Sequence, residues 1–177
     1  MTLTIGAVAP DFELPDTGGA TWSVRDSGAV AATVVVFTCN HCPYALAWHD
    51  RLLAVARDYA DRGVRTVLVN PNDADRYPRD SFDAMRERVE REGPWPAPYL
   101  RDESQEVART YDAKTTPDVF VLDPDGVLRY RGAPDADHMD EVQNAGWLRS
   151  ALDAVLDGRD VAEPQTKPVG CSVKWKA

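Results

Sequence analysis

Two cysteines, Cys39 and Cys42, are separated by two residues and follow an apolar, β-branched run at residues 33–37. A long stretch with helical spacing of apolar residues comes after them, so the pair is expected where a strand meets a helix. Paired thiols in that position are typical of a site that forms and breaks a disulfide. Exchange requires a thiolate, because the neutral thiol is a poor nucleophile. The spacing therefore predicts thiol–disulfide exchange.

The helix after the pair is expected to stabilise the thiolate. Proline has no N–H and is tolerated in the first helical turn, so Pro43 predicts a helix that begins near Asn40. Unpaired N–H groups and the positive end of the helix dipole would then lie at Cys39 and lower its pKa. We predict that Cys39 is the exposed attacking sulfur and that Cys42 is the partly buried thiol that resolves a mixed disulfide.

The spacing and the residues between the cysteines affect how readily the bridge would cycle. Residues three apart on a helix have Cβ atoms about 5–6 Å apart, whereas a disulfide needs about 3.5–4.5 Å. Closing the bridge would distort the first turn and make the bond easier to reduce. His41 would place a positive charge beside the sulfur, which predicts a more oxidising pair than a neutral residue would give.

Other interpretations of the cysteines stay open. A Cys-x-x-Cys pair can be half of a closed zinc site, but such a site needs four ligands, and Cys171 is the one further cysteine of the chain. Cys171 is either a bystander or a third thiol on a tail that folds back to resolve a sulfenate or disulfide on Cys39. The preferred interpretation includes no metal and no other cofactor.

Composition restricts the class of protein and its partners. The 177 residues are 44% hydrophobic and 28% charged, which is typical of a globular protein, and the length predicts one domain over residues 1–177. The net charge of -9 predicts repulsion of nucleic acids and anionic membranes, so neither is expected as a partner. We expect no signal peptide and no transmembrane segment. A cytoplasmic location follows, where a disulfide that forms is more often catalytic than structural.

Apolar periodicity predicts an α/β chain. Strands at residues 33–38 and 64–70, joined by a helix that ends near Arg62, imply parallel neighbours and place the cysteines at the carboxyl end of a strand. His49 is expected on the inward face of that helix, with Leu46 and Ala60. The other expected elements are an N-terminal hairpin, helices at 81–92 and 103–111, a short strand at 99–100, a hairpin over 118–131, and a last helix that ends before Gly158.

The order of these elements resembles the thioredoxin fold, a central mixed β-sheet flanked by helices. Residues 9–14 look like the opening of the peroxiredoxin-like and membrane-anchored thioredoxin groups, and residues 71–113 look like the helix and strand that those groups insert. The tail at residues 166–176 resembles that of one peroxiredoxin-like branch. The chain is therefore similar to thioredoxin-superfamily proteins of the alkyl hydroperoxide reductase and thiol-specific antioxidant type that carry a Cys-x-x-Cys motif.

This resemblance implies a single thioredoxin-like domain, with a core at about residues 30–158 and a surface tail at 159–177. It also implies that Cys39 and Cys42 are the redox pair. Thr116 precedes a proline in a segment similar to the cis-proline loop of thioredoxins, and its backbone would pair with a bound chain as an added strand. The residues expected to support the site are Asn40, His41, Pro43, Thr116 and Pro117.

Three functions stay open, in order of preference. The first is a thiol–disulfide oxidoreductase in cell redox homeostasis, acting on disulfide-containing proteins or small molecules and recharged by a thioredoxin or glutathione system. The second is an antioxidant peroxide reductase. However, true peroxiredoxins carry Pro-x-x-x-Thr-x-x-Cys, and here Val36 and Cys39 occupy the threonine position before Cys39 and Cys42, respectively. The third is a carrier of copper or zinc, bound by two thiolates beside His41.

Overall fold

A computed structural model describes residues 2–25 and 28–177, so Met1, Asp26 and Ser27 lie outside the described residues. The strands are, in chain order, β1 Glu13–Pro15, β2 Thr21–Ser23, β3 Ala32–Phe37, β4 Val64–Asn70, β5 Tyr99–Arg101, β6 Thr115–Thr116, β7 Asp118–Leu122, β8 Leu128–Gly132 and β9 Cys171–Ser172. The helices are α1 Pro43–Ala60, α2 Phe82–Glu92, α3 Glu106–Thr110 and α4 Gly146–Leu156, with a 3₁₀ turn at Pro78–Asp80. None of the described helices combines the length and apolar character needed to cross a bilayer.

The β-branched run before the cysteines forms the centre of a five-stranded mixed sheet with the order β5-β4-β3-β7-β8. β3 pairs in parallel with β4 and antiparallel with β7. Helix α1 connects the two parallel strands, as expected of a β-α-β unit. The predicted α/β class, the N-terminal hairpin of β1 and β2 and the later hairpin of β7 and β8 are confirmed.

Both faces of β3 are covered, which explains why its sequence is apolar without alternation. Val34 and Val36 belong to a core that includes side chains of α1 and α4. Val35 and Phe37 point to the opposite face, where they pack with side chains that include Tyr111. The strand is therefore fixed from both sides, and its carboxyl end holds the residues that follow in a defined position.

Helix α1 begins at Pro43, so the prediction of a start near Asn40 is wrong. Cys42 is the N-cap residue, with φ -74° and ψ 126°. The reason is steric, because a residue that precedes proline is driven out of the helical region into extended backbone. The predicted inward face is wrong in part, since Leu46 is 46% exposed and Ala60 is exposed. The buried face of the helix carries Ala45, Trp48, His49, Leu52, Leu53, Val55, Ala56 and Tyr59.

The segment after β4 adds a strand and two helices at one edge of the sheet. β5 pairs in parallel with the end of β4, as Leu68 opposite Tyr99 illustrates. The hydroxyl of Ser81 accepts the N–H of Ala84 and caps α2. Helix α3 is shorter than the predicted 103–111 helix. This inserted segment therefore lies beside the carboxyl end of β3, from which the cysteine loop departs.

The C-terminal tail pairs with the rest of the chain in two places, at the edge strand β8 and at β6. Gln165 forms a bridge with Arg131. Further along, β9 pairs antiparallel with β6, with Cys171 opposite Thr116. Val173 follows this strand and is buried, at 3% exposure. The end of the tail is therefore attached next to the Thr-Pro loop.

The buried ring of His49, which was correctly expected to face inward, predicts a loss of stability in mild acid. Burial and the neighbouring Arg88 lower the pKa of His49 from 6.5 to about 4. Its contribution to stability is therefore present above the unfolded-state pKa and is lost as the pH falls through the folded-state value. We expect the free energy of unfolding to decrease by up to about 3 kcal/mol over this window.

Urea unfolding of the wild type and His49→Phe at neutral pH and at about pH 4.5 measures this contribution. The variant should show a smaller decrease than the wild type. His138→Phe is the matched control, because that ring is partly exposed, at 21%. Equal decreases in the wild type and His49→Phe would contradict the prediction.

Candidate active site

The three cysteines of the chain lie together where the carboxyl end of β3 meets the β6–β9 pair. Cys39, Cys42 and Cys171 pack with Ala45, and all three are free thiols. Cys39 is 1% exposed and Cys42 is 0% exposed. The expectation that Cys39 is an exposed sulfur is therefore wrong, because Tyr44 and Cys171 pack against this cluster.

Thr116 contacts both sulfurs of the Cys-x-x-Cys motif. The peptide bond between Thr116 and Pro117 is cis, as the resemblance to the thioredoxin loop implied. The hydroxyl of Thr116 lies 3.3 Å from Sγ of Cys39, and its carbonyl oxygen lies 3.2 Å from Sγ of Cys42. The Thr-Pro loop and the cysteine loop therefore meet through one residue, and the backbone of that residue borders the two sulfurs.

The pKa values of Cys39 and Cys42 are both shifted, and that of Cys39 moves opposite to the direction that the sequence predicts. The hydrogen bond that Cys39 donates to Cys42, burial and the charge of Asp80 raise the pKa of Cys39. The predicted lowering of this pKa is therefore wrong for the buried dithiol, because these three effects outweigh the lowering by the Thr116 hydroxyl and the backbone N–H of His41. The hydrogen bond from Cys39 lowers the pKa of Cys42 to about 4, and contacts with Cys171 and the N–H of Ala45 act in the same direction.

The contacts also provide a second position for the proton that the two sulfurs share. When Cys42 holds this proton, its thiol can donate to the carbonyl of Thr116 at 3.2 Å. The sulfur of Cys39 then accepts hydrogen bonds from the backbone N–H of His41 and from the hydroxyl of Thr116. The pair can therefore place its first negative charge on either sulfur, and it titrates as a unit.

Asn40, predicted as a supporting residue, connects the cysteine loop to the inserted segment. Its backbone N–H donates to Oδ1 of Asp80 at 2.7 Å, and its side-chain Nδ2 donates to the carbonyl of Arg79 at 2.7 Å. Its Oδ1 accepts from Nη1 of Arg88 at 3.0 Å and from the hydroxyl of Tyr99 at 2.8 Å. Both polar atoms of this side chain are engaged, so Asn40 ties the cysteine loop to the inserted segment.

Asp80 is the main residue of the site that the sequence analysis did not identify. It is fully buried and accepts from the side chains of Asn70 at 3.1 Å and Asn72 at 3.0 Å. Its Oδ2 lies 2.5 Å from Nδ1 of His41, whose ring stacks on Tyr77 with centroids 5.4 Å apart. A protonated His41 would therefore face a carboxylate as well as a sulfur, and its predicted oxidising effect stays a prediction.

The position of β4 is the signal that could have identified this network. Asn70 ends β4, which lies parallel to β3, so its side chain is expected beside the residues that follow β3. Asn72 and Asp80 lie between the end of β4 and the start of α2. Their burial, at 1% and 0% exposure, is a property of the folded insertion that local sequence does not reveal.

Cys39, His41 and Asp80 are the described residues that could hold a metal ion. One ligand atom from each lies within 4.8 Å of the others. Thiolate, imidazole and carboxylate form a donor set that zinc accepts. Both carboxylate oxygens of Asp80 already accept hydrogen bonds from side-chain or backbone N–H groups. The position of Asp80 in this cluster is therefore also explained without a metal, by the hydrogen bonds through which it fixes the cysteine loop.

Comparison with known proteins identifies relatives of this chain. Residues 5–131 match the AhpC/TSA family. A conserved, uncharacterised protein from Geobacillus kaustophilus is 42% identical, with a TM-score of 0.92 over 98% of this chain and 93% of the other. A hypothetical protein from Sinorhizobium meliloti 1021 is 37% identical, with a TM-score of 0.92 over 99% of this chain and 96% of the other. None of the curated proteins compared with this sequence matches it.

More distant structures establish the fold. A putative thioredoxin from Neisseria meningitidis has a TM-score of 0.68 at 21% identity, over 88% of this chain and 93% of the other. A putative thiol:disulfide interchange protein DsbE from Chlorobium tepidum has a TM-score of 0.67 at 23% identity, over 87% of this chain and 99% of the other. The predicted thioredoxin fold, with its central mixed sheet, is confirmed.

The charge of Asp80 beside Cys39 predicts the reactivity of that thiol. Asp80→Asn removes the negative charge that raises the pKa of Cys39, so alkylation of Cys39 by iodoacetamide at neutral pH should accelerate several-fold. The variant should also lose about 1–3 kcal/mol of stability, because an amide cannot accept all the N–H donors around residue 80. Peptide mass analysis of alkylated samples over a pH series measures the Cys39 reaction separately.

Asp83→Asn is the matched control, because it makes the same charge change at a side chain that is 87% exposed. That variant should leave the pH profile of Cys39 alkylation unchanged. An unchanged profile in Asp80→Asn would mean that the carboxylate does not act on Cys39.

Proposed function

This chain belongs to the AhpC/TSA family, and we propose that it is a thiol–disulfide oxidoreductase whose Cys39–Cys42 pair cycles between dithiol and disulfide. One observation carries the proposal. The two sulfurs contact each other at the N-terminus of an 18-residue helix and face a cis-proline loop through Thr116. Membership of a family with thiol:disulfide oxidoreductase structural relatives supports an oxidoreductase-type activity.

In the reductive direction, attack begins with transfer of the shared proton from Cys39 to Cys42. The Cys42 thiol then donates to the Thr116 carbonyl, and the Cys39 thiolate accepts from the Thr116 hydroxyl and the His41 N–H. The Cys39 thiolate attacks one sulfur of the substrate disulfide, and the other sulfur leaves with the electron pair as a thiolate that takes a proton from water. Cys42 then loses its proton and displaces the second substrate thiol, which leaves a Cys39–Cys42 disulfide.

The backbone of Thr116 is the proposed docking edge for a peptide substrate. A chain that adds as a strand at this edge would bring its own disulfide beside Cys39 and Cys42. The proposed substrates are therefore disulfide-containing proteins or small molecules, with a thioredoxin or glutathione system as reductant. A single domain over residues 1–177 and a cytoplasmic location stay predictions from the sequence.

Turnover of insulin disulfides by dithiothreitol tests the proposed function. The wild type should accelerate the reaction, and Cys39→Ser and Cys42→Ser should each reduce the rate to that of dithiothreitol alone, because each removes one sulfur of the cycle. Hydrogen peroxide consumption is measured in parallel. Fast peroxide turnover without insulin reduction would contradict the proposal and favour the peroxide reductase interpretation.

Trapping of a mixed disulfide tests the order of attack. Cys42→Ser should form a lasting adduct with a disulfide-containing peptide, because Cys39 attacks and no thiol at residue 42 resolves the product. Cys39→Ser should form at least tenfold less adduct, an order-of-magnitude expectation for loss of the attacking sulfur. The reverse pattern would assign the attack to Cys42, whose pKa is the lowered one of the pair.

A further inference from the structure

Strand β9 occupies the backbone edge that the proposed function reserves for a substrate. Cys171 pairs antiparallel with Thr116, and Ser172 pairs with Thr115. A substrate chain that adds at Thr116 would use the same backbone groups. The chain's own tail and a docked substrate therefore cannot occupy this edge together.

A glycine permits the close approach of this strand. A Cβ atom at Gly170 would lie 2.3 Å from the carbonyl oxygen of Thr116, a distance at which backbone atoms would have to move. The tail is also attached beyond the strand. Val173 donates its N–H to the carbonyl of Lys114 at 3.1 Å, and the N–H of Lys174 donates to Oδ1 of Asn72 at 2.9 Å. Cys171 is therefore held in position from both sides.

This attachment places a third sulfur against the redox pair. The thiol and the backbone N–H of Cys171 both contact the sulfur of Cys42. Cys42 also contacts the sulfur of Cys39, so it lies between the two other thiols. A disulfide sulfur at Cys42 would thus have a free thiol already beside it, without any movement of the tail.

We propose that Cys171 is a third redox-active thiol, which exchanges with the Cys39–Cys42 disulfide by attack on Cys42. This rests on the proposed function, because it needs the Cys39–Cys42 disulfide as its starting state. The bond between Cys171 and Cys42 forms, the bond between Cys42 and Cys39 breaks, and the electron pair leaves with Cys39. The proton of Cys171 passes to Cys39 or to water. One disulfide is present before and after, so no oxidant or reductant is consumed.

The exchange has two consequences for the site. Strand β9 becomes covalently fixed at the docking edge, which excludes a protein substrate until a reductant opens the new bond. Cys39 becomes a free thiol beside the donors that stabilise its thiolate, namely the Thr116 hydroxyl and the His41 N–H. Oxidised protein is therefore distributed between a form that can exchange with substrates and a form closed by its own tail.

Oxidation of variants that each lack one cysteine tests the pairing of Cys171. In Cys39→Ser, the two remaining thiols should be converted by diamide into a Cys42–Cys171 disulfide, identified by peptide mass mapping without reduction. In Cys42→Ser, the Cys39–Cys171 disulfide should form at least tenfold more slowly, an order-of-magnitude expectation because Cys42 is the sulfur that Cys171 contacts. Absence of the Cys42–Cys171 disulfide in Cys39→Ser would overturn the proposal.

Gly170→Val tests whether the strand brings the sulfurs together. In the Cys39→Ser background it should decrease the yield of the Cys42–Cys171 disulfide several-fold, because a side chain cannot fit against Thr116. Ser172→Ala, at an exposed position of the same strand, is the control and should leave the yield unchanged. An unchanged yield in Gly170→Val would contradict the role of the strand.

The initial rate of insulin reduction by dithiothreitol, started with pre-oxidised protein, distinguishes failure of this inference from failure of the proposed function. Cys171→Ser should start turnover several-fold faster than the wild type, because its tail cannot close the docking edge covalently. Equal initial rates in two active proteins would refute the closing role of Cys171 and leave the Cys39–Cys42 cycle intact. Absence of turnover in both proteins would refute the cycle and, with it, the inference.

Discussion

The contacts of Thr116 with the two sulfurs are the interaction on which the proposed chemistry depends. Its hydroxyl lies against Cys39 and its carbonyl against Cys42, while the following peptide bond is cis. These contacts give the shared proton two positions, so that the negative charge lies on Cys42 when Cys39 holds the proton and on Cys39 when Cys42 holds it. The same backbone also offers the edge to which β9 pairs. Proton placement, substrate docking and tail attachment therefore meet at one residue.

The inserted segment determines the conformation of the cysteine loop. Asp80, Arg88 and Tyr99 all lie within it, and all bind Asn40, between the cysteines. Asp80 fixes the loop but also opposes a thiolate at Cys39, because it is a buried negative charge close to that sulfur. The buried dithiol thus combines a cysteine loop that is fixed by hydrogen bonds with an attacking sulfur, Cys39, that keeps its proton. Movement of that proton to Cys42 would leave Cys39 as the thiolate that reacts.

The fold could be predicted from the sequence because its main elements follow local rules. The apolar, β-branched run before the cysteines became β3, the helical spacing after them became α1, and the hairpin predicted over residues 118–131 became β7 and β8. The helix start was predicted three residues early because proline was considered as a helix starter without its effect on the preceding Cys42. The two-residue strands β6 and β9 have no periodicity to detect, and they form through long-range pairing.

The sequence predicts the site residues that lie near the Cys-x-x-Cys motif. It does not predict the residues that the inserted segment and the tail bring to the site. Cys39, Cys42 and Asn40 are close in sequence, and Pro117 was identified through a resemblance. The buried network of Asp80, together with the burial of Cys39, depends on how the insertion and the tail fold over the loop. The hydrogen bond to Cys42 and this burial raise the pKa of Cys39, so a motif alone identifies the thiols but not their charge state.

The central claim is that the Cys39 and Cys42 sulfurs interconvert between dithiol and disulfide in the folded chain. Equilibration with a series of glutathione redox buffers, followed by acid quenching and peptide mass mapping, measures this interconversion directly. The account predicts loss of both thiols together in a two-electron transition, with the bridge between Cys39 and Cys42 present in the Cys171→Ser protein. Independent glutathionylation of the two cysteines, without a bridge at any buffer ratio, would contradict it.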